Sequence, residues 1–444
     1  FRRREMFGKI VSVIILKLLL TGMFFSSINI KPAKSTWTGT VYIRADGSID
    51  PPNAPITTYD NITYTLTDNI TSSGDGIVVE RDNIIIDGAG YTLEGTGEYP
   101  YKGIDLSTRT NVTVKNTQIK NFYFGIYLSS SNNNNINGNN IANNTWGILL
   151  DCCSNYNSIV GNNITANNGK GIGLSSSNDN NINRNNITAN NDLGISLYSS
   201  SNNRIVGNNI ANNWYGISLC SSSYNTINRN NITANNGFGI LLEDSSNNRI
   251  VKNNITANNY DGINLHYSSN NSIAGNNVTA NNRDGIRLQI SSNNNTISGN
   301  NIIANNWSGI MLDESSNNII YHNNLIDNGV QASLYESYNN LWDDSYPSGG
   351  NYWSDYTGVD LFSGPYQNEA GSDGIGDTSH IIDENNVDRY PLIAPFNSFN
   401  TSVGCSVDVI SNSTIEDFRY FEPNGTIIMY VSVSYTHLTL PTKA

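Results

Sequence analysis

Apolar residues recur along most of this chain in one fixed phase. Gly-Ile pairs begin at Gly103, Gly125, Gly147, Gly171, Gly194, Gly216, Gly239, Gly262, Gly285 and Gly309, spaced by 22, 22, 24, 23, 22, 23, 23, 23 and 24 residues. A second column, Asn-Asn followed by Ile, Val or Leu, keeps step from Asn139 to Asn323. Columns that share one period belong to one stack, so the repeat predicts a solenoid. Within residues 239–261, Ile240 and Leu242 alternate with outward positions. Ser245 to Asn248, Ile250, the Asn253-Asn254-Ile255 triplet and Ala257-Asn258-Asn259 follow. Period-two apolar positions broken by Ser and Asn clusters predict short strands and tight turns. No stretch holds a 3.6-residue stripe, and Asn is a weak helix former, so helix is excluded.

The expected architecture is all-β: a right-handed, single-stranded parallel β-helix of about 23-residue coils. It spans residues 76–340, with an irregular first turn at Gly76-Ile77 and a last one at Gln331 to Leu334. Residues 36–75 would form an N-terminal cap. The recurrent Asn is read as structural, because its side chain bonds neighbouring backbone, tolerates left-handed turns and stacks along a fibre axis.

From Leu341 to Phe396 the repeat gives way to Trp, Tyr, Gly and Asp. That segment would cover the open end of the stack, where core and strand edges would otherwise lie bare. Residues 397–432 alternate apolar and polar positions like the start of a β-sandwich-like domain. The last stretch, 433–444, resembles translated sequencing-adapter sequence and is set aside as a non-native tail, His437 included.

Only 37% of the chain is apolar and 14% charged, but the regular Ile and Leu columns argue for a core rather than disorder. A net charge of −13 disfavours nucleic acid and anionic lipid as partners. Arg2, Arg3, Arg4 and Lys9 ahead of the apolar stretch Ile10 to Phe25 read as an export signal over residues 1–35, with an uncleaved membrane anchor as the alternative. Cleavage would remove seven Lys or Arg against one Glu, so −13 would become −19. Cys152, Cys153, Cys220 and Cys405 make no disulfide framework. Cys152 and Cys220 lie three repeats apart, roughly 14 Å at about 4.8 Å per strand, too far for a bridge.

The coils at 76–340, with VVERDNIIIDGAGYTLEG near the start and GGNYWSDYTGVDLFSGPYQNEAGSDGIGDT at the end, resemble archaeal surface proteins carrying the NosD-type right-handed β-helix. That resemblance implies an extracytoplasmic protein, a copper-binding label, and kinship with β-helices that bind or cleave polysaccharides. Copper needs clustered soft or imidazole ligands. Here His266 and His322 fall on different faces two coils apart and Met311 faces outward alone, so residue placement speaks against copper.

Sugar binding has more behind it. One or two residues before each Gly-Ile stands an aromatic column: Tyr101, Tyr123 and Phe124, Trp146, Trp214 and Tyr215, Phe238, Tyr260 and Trp307. Four or five residues after the Gly comes a polar column: Asp151, Glu243 and Asp244, His266, Gln289, Asp313 and Glu314, and Glu336. One strand links both columns, so together they would flank a glycan-binding face; the competing reading is a bracing ladder with solubilising acids. For catalysis, Asp313 or Glu314 against Glu336 one coil on would suit the roughly 5 Å carboxyl spacing of retaining glycosidases. A lyase built on calcium and a basic residue would need several acids beside Arg287, where only Asp284 and Asp261 are near. In the cap, Asp360, Asp373, Asp377 and Asp388 are hard oxygen ligands for calcium, with Gly374 and Gly376 allowing a tight loop. Asn163, Asn186, Asn231, Asn254, Asn277 and Asn306 head N-x-Ser/Thr sequons that the repeat itself generates.

The sequence therefore points to a secreted or cell-surface β-helix that binds polysaccharide or another envelope glycan without catalysis. A polysaccharide lyase or glycoside hydrolase is the alternative from another class, and a structural spacer a third.

Overall fold

A computed structural model describes residues 37–396 and the backbone of two further strands, Ile415–Phe421 and Ile428–Val433. The expected export signal, Cys405 and residues 434–444 lie outside the described residues. One coil illustrates the whole. Ile240–Glu243 enters a first, long-strand sheet, Arg249–Val251 a second and Asn254–Thr256 a third. Each strand pairs in parallel with its equivalents one coil before and after. Ile217 thus aligns with Ile240, Ile263 and Ile286, and Ile232 with Ile255 and Val278. The three sheets hold 14, 13 and 14 strands among the described residues, which makes the parallel β-helix that the period predicts.

Because the register repeats without slip, the inward Ile and Leu rest on an equivalent apolar residue above and below. Ile240, Leu242, Ile250 and Ile255 are all fully buried. Each such side chain stabilises the stack by about 1.5 to 3 kcal/mol. The Gly of each Gly-Ile pair is needed for the close approach of successive coils. A Cβ on Gly239 would come within 2.6 Å of the Gly262 carbonyl oxygen and 2.7 Å of the Ile255 Cγ2.

The Asn residues form the turns by hydrogen bonding between coils. Three Asn columns and one Ser column are buried at the corners, exemplified by Asn248, Asn253, Asn258 and Ser245. Each Asn oxygen accepts both the main-chain N–H and the side-chain amide of the equivalent residue one coil earlier. Asn230, for instance, donates from N at 2.9 Å and from Nδ2 at 3.0 Å to Asn253 Oδ1. The left-handed residues are not these Asn but those just before them: Asn247 (φ 60°), Lys252 (φ 55°) and Ala257 (φ 55°). The buried Asn locks the turn by hydrogen bonding, and its mixed neighbours take the unfavourable backbone.

Both ends depart from the simple repeat. The solenoid reaches past Gly76 into the expected N-terminal cap: Val41–Ile43, Thr63–Leu66 and Ile70–Thr71 form one more coil, parallel to Ile77–Val79, Ile85–Asp87 and Thr92–Glu94. Antiparallel additions at Ile49–Asp50 and Ile56–Thr57 then close it. At the other end Tyr352–Trp353 adds a strand beside Asn324–Ile326, and Trp342 and Trp353 lie fully covered against the last core residues. Trp342 Nε1 donates to Asn386 at 3.2 Å and Trp353 Nε1 to Asp388 at 2.8 Å, while Arg389 pairs with Asp343 at 2.6 Å. Trp342 and Trp353 thus cover the last coil of the stack. Ile415–Phe421 and Ile428–Val433 form an antiparallel hairpin. No helix among the described residues is long and apolar enough to cross a membrane.

Candidate functional site

Side chains on the outer face of the long-strand sheet come into register coil after coil. Its central column runs through Leu241, Asn264, Arg287 and Met311. Aromatic residues stand on one side of that column, and the residues four and five positions after each Gly on the other.

The aromatic residues engage one another more than the sequence suggests. Tyr123 packs edge-on against Phe124 at 4.7 Å, Phe124 against Trp146 at 6.1 Å and Phe238 against Tyr260 at 5.3 Å, and Tyr215 lies tilted against Phe238 at 5.1 Å. Cations cover further rings. The Lys170 ammonium lies 4.9 Å from the Trp146 ring, and the Arg283 guanidinium sits between Tyr260 at 4.2 Å and Trp307 at 5.1 Å. Gly237 is small because the Tyr215 ring lies where its Cβ would be. Tyr123, Trp146, Tyr215 and Tyr260 are half-buried, whereas Trp214 and Trp307 remain 44% and 52% exposed. Tyr198, Tyr267 and Tyr335 are also exposed, on the opposite side of the face. Tyr198 and Tyr267 sit four and five residues after a Gly, and Tyr335 aligns with Asp313 one coil earlier, in the column read for its polar members alone.

Between these margins lies a polar network. Asp261 and Asp284, each just before a Gly-Ile pair, are buried. Asn264 Nδ2 donates to Asp261 at 2.7 Å, Gln289 donates to Asn264 Oδ1 at 3.0 Å, and the Ser308 main-chain N–H donates to Asp284 at 2.8 Å. Arg287 pairs with Asp313 at 2.7 Å and with Asp284 at 3.7 Å, while its Nε is buried without a partner. Burial pushes the Asp261 carboxyl up to about 6, with neighbouring Asp284 adding to the rise, and burial raises Asp284 as well. His266 lies 4.0 Å from Glu243 and packs against Tyr267. Asp244 and Glu314 are exposed at left-handed turn positions, as is Glu336.

Several expectations are redirected by this geometry. Asp313 turns back to Arg287 of the preceding coil rather than forming a carboxyl pair with Glu336, because an ion pair outcompetes the approach of two like charges. The four cap acids do not converge on a calcium site. Asp360 accepts from the main chain of Asp373 and Gly374, Asp377 from Leu361 and Phe362, and Asp373 from Ile375. Asp388 is buried beneath Trp353 and accepts from Asn351 N and Trp353 Nε1. These carboxylates staple turns, and no group of three or more His, Cys, Asp or Glu among the described residues is arranged to hold a metal ion. Donors for copper are scattered too: His322 contacts the Ser348 carbonyl and stacks on Phe396, and His380 stacks on Trp353. Cys152 and Cys153 are exposed free thiols.

Residues 59–236 and 224–358 match the family described as "Periplasmic copper-binding protein (NosD)". No curated protein matches the chain. Among solved structures, the periplasmic alginate epimerase AlgG is 19% identical over 65% of this chain and 80% of its own, with a TM-score of 0.47. The Azotobacter vinelandii mannuronan C-5 epimerase AlgE4 A-module is 17% identical over 68% of this chain and 91% of its own, with a TM-score of 0.48. For the Dettilon tailspike protein the values are 15%, 71%, 62% and 0.45.

Proposed function

This chain belongs to the family described as periplasmic copper-binding protein (NosD), and on that premise we propose that it is an extracytoplasmic β-helix that binds glycan on the outer face of its long-strand sheet. The observation that carries the reading is the placement of exposed Trp214 and Trp307 on one margin of that face, with Gln289, His266 and Glu243 on the margin across from them. Sugar rings offer C–H faces to an aromatic ring and hydroxyls to amides and carboxylates. The two Trp stand four coils apart, about 19 Å at roughly 4.8 Å per coil, room for a run of several sugar units. The family's periplasmic description and the signal-like N-terminus support the location.

Binding without catalysis is favoured because Asp284 and Asp313 are already engaged by Arg287. A second reading, a polysaccharide hydrolase or lyase, has one observation behind it: Asp261, Asp284 and Asp313 gather around Arg287 and Asn264 in the centre of the face. Copper does not fit the described donors, and no role is assigned to it.

The test is a glycan array with the full chain, followed by analysis of the hits for released products. Trp214→Ala and Trp307→Ala should weaken binding by about 1 to 3 kcal/mol, by analogy with base stacking on aromatic rings, while barely moving Tm. Trp146→Ala, which removes a ring packed on Phe124 and Lys170, should instead lower Tm and leave affinity nearly intact. Unchanged affinity in both exposed-Trp variants would remove the reading, and product release from a hit would replace it with the enzymatic one.

A further inference from the structure

Along the aromatic margin of the long-strand sheet, one cation keeps its hydrogen-bond donors free. Lys102 pairs with Asp105 at 2.7 Å, Lys170 donates to Ser196 Oγ at 3.2 Å, and Arg287 is held by Asp313 and Asp284. Arg283 differs. Its guanidinium carbon lies 4.2 Å from the Tyr260 ring and 5.1 Å from the Trp307 ring, and among the described residues its N–H groups have no hydrogen-bond or ion-pair partner. Stacking on rings engages the faces of a guanidinium and leaves the donors along its edge for another group.

The surroundings of Arg283 complete a subsite. Tyr260, Arg283 and Trp307 hold the same position in successive coils, and Gly329 holds it in the next, so the far side of Trp307 gains no covering side chain there and the ring is 52% exposed. Beside this row Asn259, Asn282 and Asn306 are exposed amides joined in a ladder, Asn306 Nδ2 donating to Asn282 at 2.6 Å and Asn282 Nδ2 to Asn259 at 3.2 Å. Each amide nitrogen has a second N–H for a sugar hydroxyl. The neighbouring acid, Asp284, is buried and turned to Arg287 and the Ser308 N–H. Exposed Asp244, Glu314 and Glu336 stand on the opposite margin. The strand from Gly285 to Gln289 already spans about 13 Å, beyond the roughly 8 Å over which physiological salt screens a charge. The chain's net charge of −13 therefore does not close this margin to an anion.

The geometry points to Arg283 as a specificity-determining residue: it receives the carboxylate of a uronic acid unit, so the glycan taken by this face is an acidic one. This rests on the glycan-binding reading of the same face and adds the class of ligand to it. A carboxylate offers two coplanar oxygens to the guanidinium fork, a contact that neither an ammonium nor an amide reproduces. The adjoining sugar ring lies on the open side of Trp307, and its hydroxyls meet the amides of Asn282 and Asn306.

The experiment is affinity electrophoresis of the full chain through gels containing polygalacturonate or polyglucuronate, and in parallel through gels containing their methyl esters, which keep the sugar and lose the charge. The wild type should bind the acids about tenfold more tightly than the esters, the scale of one charge-assisted hydrogen bond. Arg283→Gln should lose that preference and keep its affinity for the esters, and Arg283→Lys should recover only part of it. Salt should weaken the preference of the wild type. Trp307→Ala should weaken binding of acid and ester alike. If Arg283 only braces its two rings, Arg283→Gln will lower Tm and leave the preference for acids intact, and that result would overturn the inference. A wild type that takes the esters as tightly as the acids would also overturn it, with the glycan reading left standing. Loss of acid binding in Arg283→Gln, with no effect of Trp214→Ala or Trp307→Ala, would keep the carboxylate subsite and remove the stacking reading. Retardation by none of the four polymers would sink the acidic-glycan inference, and the glycan array then decides the broader reading by itself.

Discussion

Asn230 and Asn231 are neighbours in sequence with the same side chain, yet they should differ in energetic weight. Asn230 is buried at a corner of the stack. It donates from Nδ2 to Ile205 O at 2.9 Å and to Asn253 Oδ1 at 3.0 Å, and its oxygen accepts from Asn208 N and Asn208 Nδ2, both at 2.9 Å. Truncation to Ala takes away all four bonds and leaves the buried main-chain N–H of Asn208 without an acceptor. A buried polar group left unpaired costs about 1 to 3 kcal/mol, so two or three affected groups predict a loss of about 3 to 6 kcal/mol. Asn231 points outward from the third sheet and exchanges one 2.8 Å bond with Asn209 and one with Asn254. Water replaces those bonds, so Asn231→Ala should cost less than about 1 kcal/mol. Urea denaturation of both variants gives the comparison, and hydrogen exchange at the Asn208 amide should accelerate in Asn230→Ala alone. Because each coil contacts mainly its neighbours, the loosening should spread to the adjacent coils before the whole stack opens. Equal stabilities in the two variants, or an Asn208 amide that stays protected in Asn230→Ala, would refute the idea that the ladder holds the corners.

Two further outcomes follow from the packing of the stack. Gly239→Ala forces its Cβ against the Gly262 carbonyl and Ile255 and should prevent a normal stack, while Gly207→Ala, with φ 66° and no atom within 3.5 Å of the new Cβ, should cost only about 1 kcal/mol; thermal melts of the pair check this. Burial raises Asp388 to about 7 and Asp261 to about 6, so the folded chain holds protons more tightly than the unfolded one, whose carboxylates titrate near ~4. The stability these groups contribute is complete below about pH 4 and lost as pH rises through 6 to 7. His380, lowered by burial, works in the opposite sense. Melting curves from pH 5 to 8 on the wild type and Asp388→Asn isolate the Asp388 share: the fall in Tm with rising pH should be smaller in the variant, and an identical slope would count against it.

The repeat is legible in the sequence because a parallel solenoid imposes the same environment on the same position of every coil. Gly239, Ile240 and Leu242 therefore announce their roles by recurrence. The Asn columns and the tryptophan-rich cap are readable for the same reason: a corner must be bonded and an open end must be covered. Recurrence says which column a residue joins but not which neighbour its side chain meets. Arg287 and Asp313 lie 26 residues apart and pair because one coil rests on the next. Arg283 slips between Tyr260 and Trp307, changing two rings from free stacking surfaces into partly covered ones. The first coil, from Val41 to Thr71, lacks the Gly-Ile mark and is recognised only by its parallel pairing. Sequence alone fixed the period and the face. The long side chains left by that period had several partners within reach, and only their packing across coils decided that Asp284 and Asp313 hold Arg287, while Arg283 lies on Tyr260 and Trp307, and Trp214 stays 44% exposed.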